Sequence, residues 1–164
     1  MYYTNIYLSV LSWYDKNKRD LPWRKFKDPY KIWLSEVMLQ QTQVKTVIPY
    51  YERWLNEFGS IQNVANAELD SLLKLWEGLG YYSRCRNFHR ASRIITKKYD
   101  GKIPETYDEF IALPGVGKYI ASAVLSIAHD IKIPAIDVNL KRVYARILKI
   151  KQFTKYNLVR IEKL

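Results

Sequence analysis

"ALPGVGKYIASAVL", residues 112–125, is the stretch on which the fold turns. A proline and two glycines stand directly ahead of a segment that reads as a good helix. Gly115 and Gly117 permit positive φ and close approach of another backbone. The first amides of the helix that follows lack internal partners and carry the positive end of its dipole. Lys118 adds a charge beside them, so Leu113, Gly115, Val116, Gly117 and Lys118 make a candidate anion site. A plain corner between two helices has the same glycines, and the turn alone does not separate the two readings.

Working outward, nearly every segment keeps helical period. Residues 4–16 read as a first helix, and Asp28 caps a second, with Pro29 at its first position, running to about Thr42. Further helices are expected over 44–58, 67–76 and 81–99, the last of them basic. Thr106 with Glu109 reads as a capping box opening a short helix that ends at Leu113. Two more helices follow at 117–129 and about 138–149, the second with an apolar stripe of Leu140, Val143, Tyr144, Ile147 and Leu148. No alternating strand, repeat or low-complexity linker is visible. The expected fold class is all-α.

Composition narrows the partner. The chain has 164 residues, 48% of them hydrophobic, which suits one domain or two small lobes and excludes a disordered tail. Its net charge of +11 favours a polyanion, since each phosphate neutralised releases a condensed counterion. Aromatic residues at 15%, with 14 tyrosines and five tryptophans, suit nucleic acid, because bases stack on rings. With capped helices on both sides of the turn and this charge, phosphate binding is the favoured reading of "LPGVGK". Cys85 is the only cysteine, so an internal disulfide and a multi-cysteine metal site are both excluded. His89 and His129 are too isolated to argue a metal site. The N-terminus lacks the basic flank of a signal peptide, and no apolar run approaches membrane-spanning length. These features predict a soluble intracellular protein.

Two carboxylates stand out. Glu36 lies in "KIWLSEVMLQ", where Ile32 at i−4 and Leu39 at i+3 flank it on its own helical face. Three readings are open: a surface ion pair, a pairing with a cation from elsewhere, or a desolvated carboxyl with a raised pKa. Asp137 stands just ahead of the last helix and reads as an N-cap accepting amides near Asn139 and Leu140. Capping amides also favour a charged carboxylate, so the cap is compatible with a catalytic anion. The arginines of the basic helix, Arg84, Arg86, Arg90 and Arg93, read as a solvated face and are not assigned to phosphate.

"LPGVGKYIASAVL" followed by "IPAIDVNLKRVYARIL" resembles the helix–hairpin–helix and downstream aspartate of the base-excision DNA glycosylase superfamily. "LPWRKFKDPYKIWLSEVMLQQTQVKTVIPYY" and "LWEGLGYYSRCRNFHRA" are similar, nearly residue for residue, to the MutY-type adenine DNA glycosylases. The resemblance runs from about Trp13 to Ile150. It implies two helical lobes with the active site between them. Residues 20–132 would form the lobe holding the helix–hairpin–helix, and 1–19 with 133–164 part of a second. It implies a monofunctional enzyme that hydrolyses the N-glycosidic bond of adenine mispaired with 8-oxoguanine or guanine. The implied partner is double-stranded DNA, met as a monomer and away from membranes.

By the same resemblance, Glu36 is the general acid and Asp137 the anion beneath the sugar, with Asn139 orienting the aspartate. Gln41 and Tyr81 match residues that wedge beside the lesion pair, with Thr42 and Leu79 nearby, and Arg24 matches a residue lining the adenine pocket. Relatives that also cut the strand carry a lysine directly after the "GVGK" turn. Here that position is Tyr119, which borders the active site in many adenine-specific members, and a phenol cannot form an imine. Lys118, one residue earlier, is expected to point about 100° away, toward phosphate.

Two departures are visible. Val138 stands where most relatives have glycine, which puts the placement of Asp137 in question. The family also continues with four cysteines binding a 4Fe–4S cluster and then a domain that recognises 8-oxoguanine. Those cysteines are absent here, so a fragment, or a shortened protein completed by another chain, is expected, with no other cofactor required. Two alternatives remain: a thymine or uracil mismatch glycosylase on the same scaffold, and a non-catalytic DNA-binding module.

Overall fold

The structure, a computed structural model, describes residues 2–150, with side chains from residue 7 onward. Its helices are α1 (Tyr2–Asn17), α2 (Pro29–Leu39), α3 (Val44–Glu57), α4 (Ile61–Asn66) and α5 (Leu69–Trp76). They continue with α6 (Ser83–Lys98), α7 (Tyr107–Ile111), α8 (Lys118–His129) and α9 (Val138–Ile147). A 3-10 turn at Pro22–Arg24 stands between α1 and α2, and no strand occurs among the described residues. The all-α expectation holds.

Local chemistry accounts for most boundaries. Asp28 caps α2 by accepting the amides of Tyr30 at 2.9 Å and Lys31 at 3.3 Å, and Pro29 follows at the first position. The helix stops at Leu39, three residues short of the expected end at Thr42. Gln40 leaves helical geometry (ψ 112°) and Gln41 turns left-handed (φ 55°). The basic helix likewise starts at Ser83 and not at Tyr81, because Tyr81 is left-handed (φ 50°). α9 ends at Ile147, where Leu148 and left-handed Lys149 break it.

Three details correct the sequence reading. α4 was not anticipated; Ser60 caps it by accepting the amide of Asn63 at 3.2 Å. Thr106 does not form a capping box, since its hydroxyl donates to the Glu109 carboxylate at 2.6 Å and bonds no backbone amide. Gly115 is left-handed (φ 78°), but Gly117 is not (φ −92°) and acts as the N-cap of α8.

The core is aromatic. Trp33, Trp54, Trp76, Tyr51, Phe88 and Phe110 are all fully enclosed. Trp33 meets Phe88 at 4.5 Å and the edge of Phe110 at 5.4 Å, while Trp54 meets Trp76 edge-on at 5.5 Å. Pairs of this geometry add about 0.5–1.5 kcal/mol beyond their area burial. α2 runs through the middle, against α3, α6 and α8, and α4 and α5 close over α6. Of its middle residues only Lys31 and Glu36 escape full burial.

α1 and α9 differ. Tyr7, Leu8, Val10 and Trp13 of α1 are exposed, as are Val138, Val143 and Ile147 of α9. Of the second lobe expected over 1–19 and 133–164, the described part is α1 and the stretch through α9; residues 151–164 lie outside the described residues.

Candidate active site

Glu36 sits where α2 meets an open cleft. Ile32 and Leu39 line the same wall, as the i−4 and i+3 spacing predicts. Burial holds the Glu36 carboxyl above its ordinary range. A hydrogen bond from Tyr119 opposes that rise, and the nearby charge of Asp137 adds to it. None of the ion pairs among the described residues involves Glu36. Of the three sequence readings, the desolvated carboxyl is the one the structure shows.

Asp137 faces it from the start of α9. One of its oxygens accepts the Leu140 amide at 2.7 Å, and the other accepts the Asn139 side-chain amide at 3.0 Å. The expected N-cap is present, and the donor from Asn139 is its side chain. Val138, next in sequence, is exposed and lines the same cleft.

Tyr119, in the first turn of α8, interacts with both. Its hydroxyl is held protonated, with its pKa pushed up to about 12, chiefly by burial and then by the charges of Glu36 and Asp137. Lys118 is exposed and also reaches the cleft wall, so its helical offset from Tyr119 does not take it out of the site.

The cleft has a volume of about 1530 Å³ and gathers Arg24, Glu36, Gln41, Tyr81, Lys118, Tyr119, Asp137 and Asn139. Lys18, Arg19, Arg24, Lys27, Arg84, Lys118 and Lys141 on its walls outnumber Asp20, Glu36 and Asp137. Such a cleft concentrates a polyanion. Arg24 lies over the Tyr14 ring at 5.6 Å and donates to the Arg19 carbonyl at 3.2 Å. Thr42, Leu79, Leu113, Gly115, Val116 and Gly117 are not part of its lining. Leu79, Leu113 and Val116 are buried packing residues. Gly115 and Gly117 are exposed on the turn ahead of α8, whose first amides carry no side-chain cap. A side chain at Gly115 would meet Asn87 Cβ at 2.7 Å, so both space and φ exclude one there.

Sequence reasoning missed Arg84. It is only 8% exposed, and its guanidinium donates to backbone carbonyls at the end of α2, on Gln40 just beyond it, and on the loop at Gly80. A signal existed, because Arg84 shares the stripe of Phe88, Ala91 and Ile95, all buried on α6. Cys85 is buried too, with its thiol pushed up to about 12.

Residues 34–162 match the HhH-GPD superfamily of base excision DNA repair proteins. The chain belongs to that superfamily. Its helical architecture agrees: a solved thermostable thymine-DNA glycosylase superposes with a TM-score of 0.79 at 27% identity, covering 85% of this chain and 65% of the other. A non-covalent endonuclease III–DNA complex superposes with a TM-score of 0.78 at 22% identity, over 98% and 74%. The adenine DNA glycosylase of Buchnera aphidicola subsp. Baizongia pistaciae is 46% identical over 159 residues, which are 96% of this chain and 44% of that protein. The human adenine DNA glycosylase is 44% identical over 148 residues, 85% of this chain and 27% of that protein. The chain spans less than half the length of these curated relatives.

The iron–sulfur cluster that the family resemblance implies does not fit the residues present. It needs four thiolates, and the single cysteine of this HhH-GPD chain is a protonated thiol enclosed in the core. Among the described residues no group of three or more histidines, cysteines or acidic side chains could hold a metal ion.

Proposed function

We propose that this chain is the catalytic part of a monofunctional adenine DNA glycosylase. Its reaction is hydrolysis of the N-glycosidic bond of adenine mispaired with 8-oxoguanine or guanine in duplex DNA. The observation that carries the reading is the pairing across one cleft of Glu36, whose carboxyl burial raises above its ordinary range, with the capped Asp137. Glu36 gives its proton to a ring nitrogen of the flipped adenine, so the base leaves neutral as the glycosidic bond breaks. The electron pair of that bond departs with the base and leaves an oxocarbenium-like sugar. Asp137, oriented by Asn139, stabilises that cation until water adds to it.

Tyr119 keeps its proton and supplies no amine, so the sugar is left as an intact abasic site. Arg24 borders the base pocket, while Gln41 and Tyr81, with Thr42 and Leu79 nearby, enter the duplex beside the lesion. The turn of Leu113, Gly115, Val116, Gly117 and Lys118 grips the DNA backbone. In this reading residues 20–132 form one lobe, and 1–19 with 133–164 part of the other. The protein acts as a monomer on DNA inside the cell. No helix among the described residues is long and apolar enough to cross a membrane.

A thymine or uracil mismatch glycosylase is the second reading, favoured by the likeness to a thymine-DNA glycosylase. Single-turnover assays on adenine:8-oxoguanine and thymine:guanine duplexes decide between them. Release of adenine, with strand cleavage only after alkali and no borohydride trapping, is the expected result. Trapping of the unaltered protein would sink the monofunctional assignment. Duplex binding without release of either base would leave a DNA-binding module.

A further inference from the structure

We infer that Arg84 is a positioning residue that locks the two DNA-facing loops, Gln40–Gln41 and Leu79–Tyr81, at a fixed separation. The inference rests on the reading above that Gln41 and Tyr81 enter the duplex together. On one side its guanidinium donates to the carbonyls of Val37 at 3.0 Å, Met38 at 2.8 Å and Gln40 at 2.7 Å. On the other it donates to Leu79 at 3.2 Å, Gly80 at 3.0 Å and Tyr81 at 3.4 Å. The last carbonyls of α2 have no partners within their own helix. Arg84 reaches them from α6, so α2 is capped by a residue more than forty positions away.

The loops it holds are conformationally costly. Gln41 (φ 55°) and Tyr81 (φ 50°) are both left-handed without being glycine, and each directly follows a carbonyl that Arg84 grips. Such residues persist where the surroundings hold them in place. The guanidinium also lies 5.3 Å from the Tyr81 ring centre and 5.4 Å from that of Trp76. No carboxylate pairs with it among the described ion pairs. Burial acts against its charge, which is met by carbonyl dipoles and by the two ring faces. A planar fork can span two loops in this way, whereas a lysine ammonium is a single point. Two side chains pressed into stacked bases meet resistance, and a rigid link makes them act as one wedge of set width.

The test uses the full chain with Arg84→Lys, and Arg84→Gln as a second variant. Amide hydrogen exchange should speed up roughly tenfold at residues 40–42 and 79–82 together, with amides of the α2–α8 interface unchanged. A duplex carrying 2-aminopurine beside an adenine:8-oxoguanine pair reports unstacking. Arg84→Lys should lower that signal several-fold in the native background. On a Gln41→Ala/Tyr81→Ala background it should change the signal by less than about twofold. Loosening of only one loop, a uniform loss of protection, or an equal effect in both backgrounds would overturn the inference. If both loops loosen but Gln41→Ala/Tyr81→Ala leaves unstacking untouched, the clamp stands and the wedge reading fails.

Discussion

The helix that carries Glu36 and the helix that carries Asp137 belong to regions built in opposite ways. α2 is enclosed on nearly every side by α3, α6 and α8, with Trp33 and Leu34 sealed in the core. α9 leaves Val143 and Ile147 about half exposed and buries only Ala145 fully. The two carboxyls accordingly meet different surroundings. Apolar surroundings disfavour a carboxylate, so the enclosed helix raises the Glu36 carboxyl above its ordinary range. Asp137 needs only local donors, and the start of a helix supplies them without a deep core.

The largest expected effect tests the contrast in packing. Trp33→Ala should lose about 3–5 kcal/mol of stability in a urea titration, whereas Trp13→Ala, on exposed α1, should change it by less than about 0.5 kcal/mol. Comparable losses at both positions would show that α1 is as tightly covered as α2.

Next come the carboxylates. Glu36→Gln should slow single-turnover base release by about a hundredfold or more while duplex binding survives. Asp137→Asn should be comparably damaging to the chemistry yet leave the melting temperature nearly unchanged, because asparagine caps a helix as well as aspartate does. Full activity in either variant would remove that residue from the mechanism.

A smaller effect concerns the anion site. Lys118→Ala should weaken every duplex alike and flatten the salt dependence of binding by about one unit. A loss confined to one mismatch would place Lys118 in base recognition instead.

The mildest effect follows from the raised Glu36 pKa. Between the ordinary carboxylate range and the folded value, the folded state binds more protons than the unfolded one. Stability contributed by this group is therefore present at low pH and lost as pH rises through that window. Thermal melts should show Glu36→Gln more stable than the native chain above the window, with the two converging below it. Base release should decline as pH rises through the same window. A pH-independent difference in melting would mean that Glu36 is not desolvated.

What the sequence by itself determined is local. Asp28 before Pro29, Asp137 ahead of α9 and the "LPGVGK" turn announce helix ends, because caps act within one turn of chain. Ile32, Glu36 and Leu39 share a face through helical period alone, so a carboxyl with apolar neighbours could be read directly. Only the tertiary structure decided what those features meet. The short α4 escaped notice because two buried side chains, Ile61 and Val64, are too few to show a period. Whether Glu36 finds a cation or an apolar wall depended on α8 and α9, about eighty to a hundred residues further along. Arg84 reads as one more solvated arginine until α6 is laid beside the end of α2, where unpaired carbonyls wait for a donor. Periodicity and capping are properties of neighbours in sequence, whereas the burial of a charge is set by whichever distant segment arrives beside it.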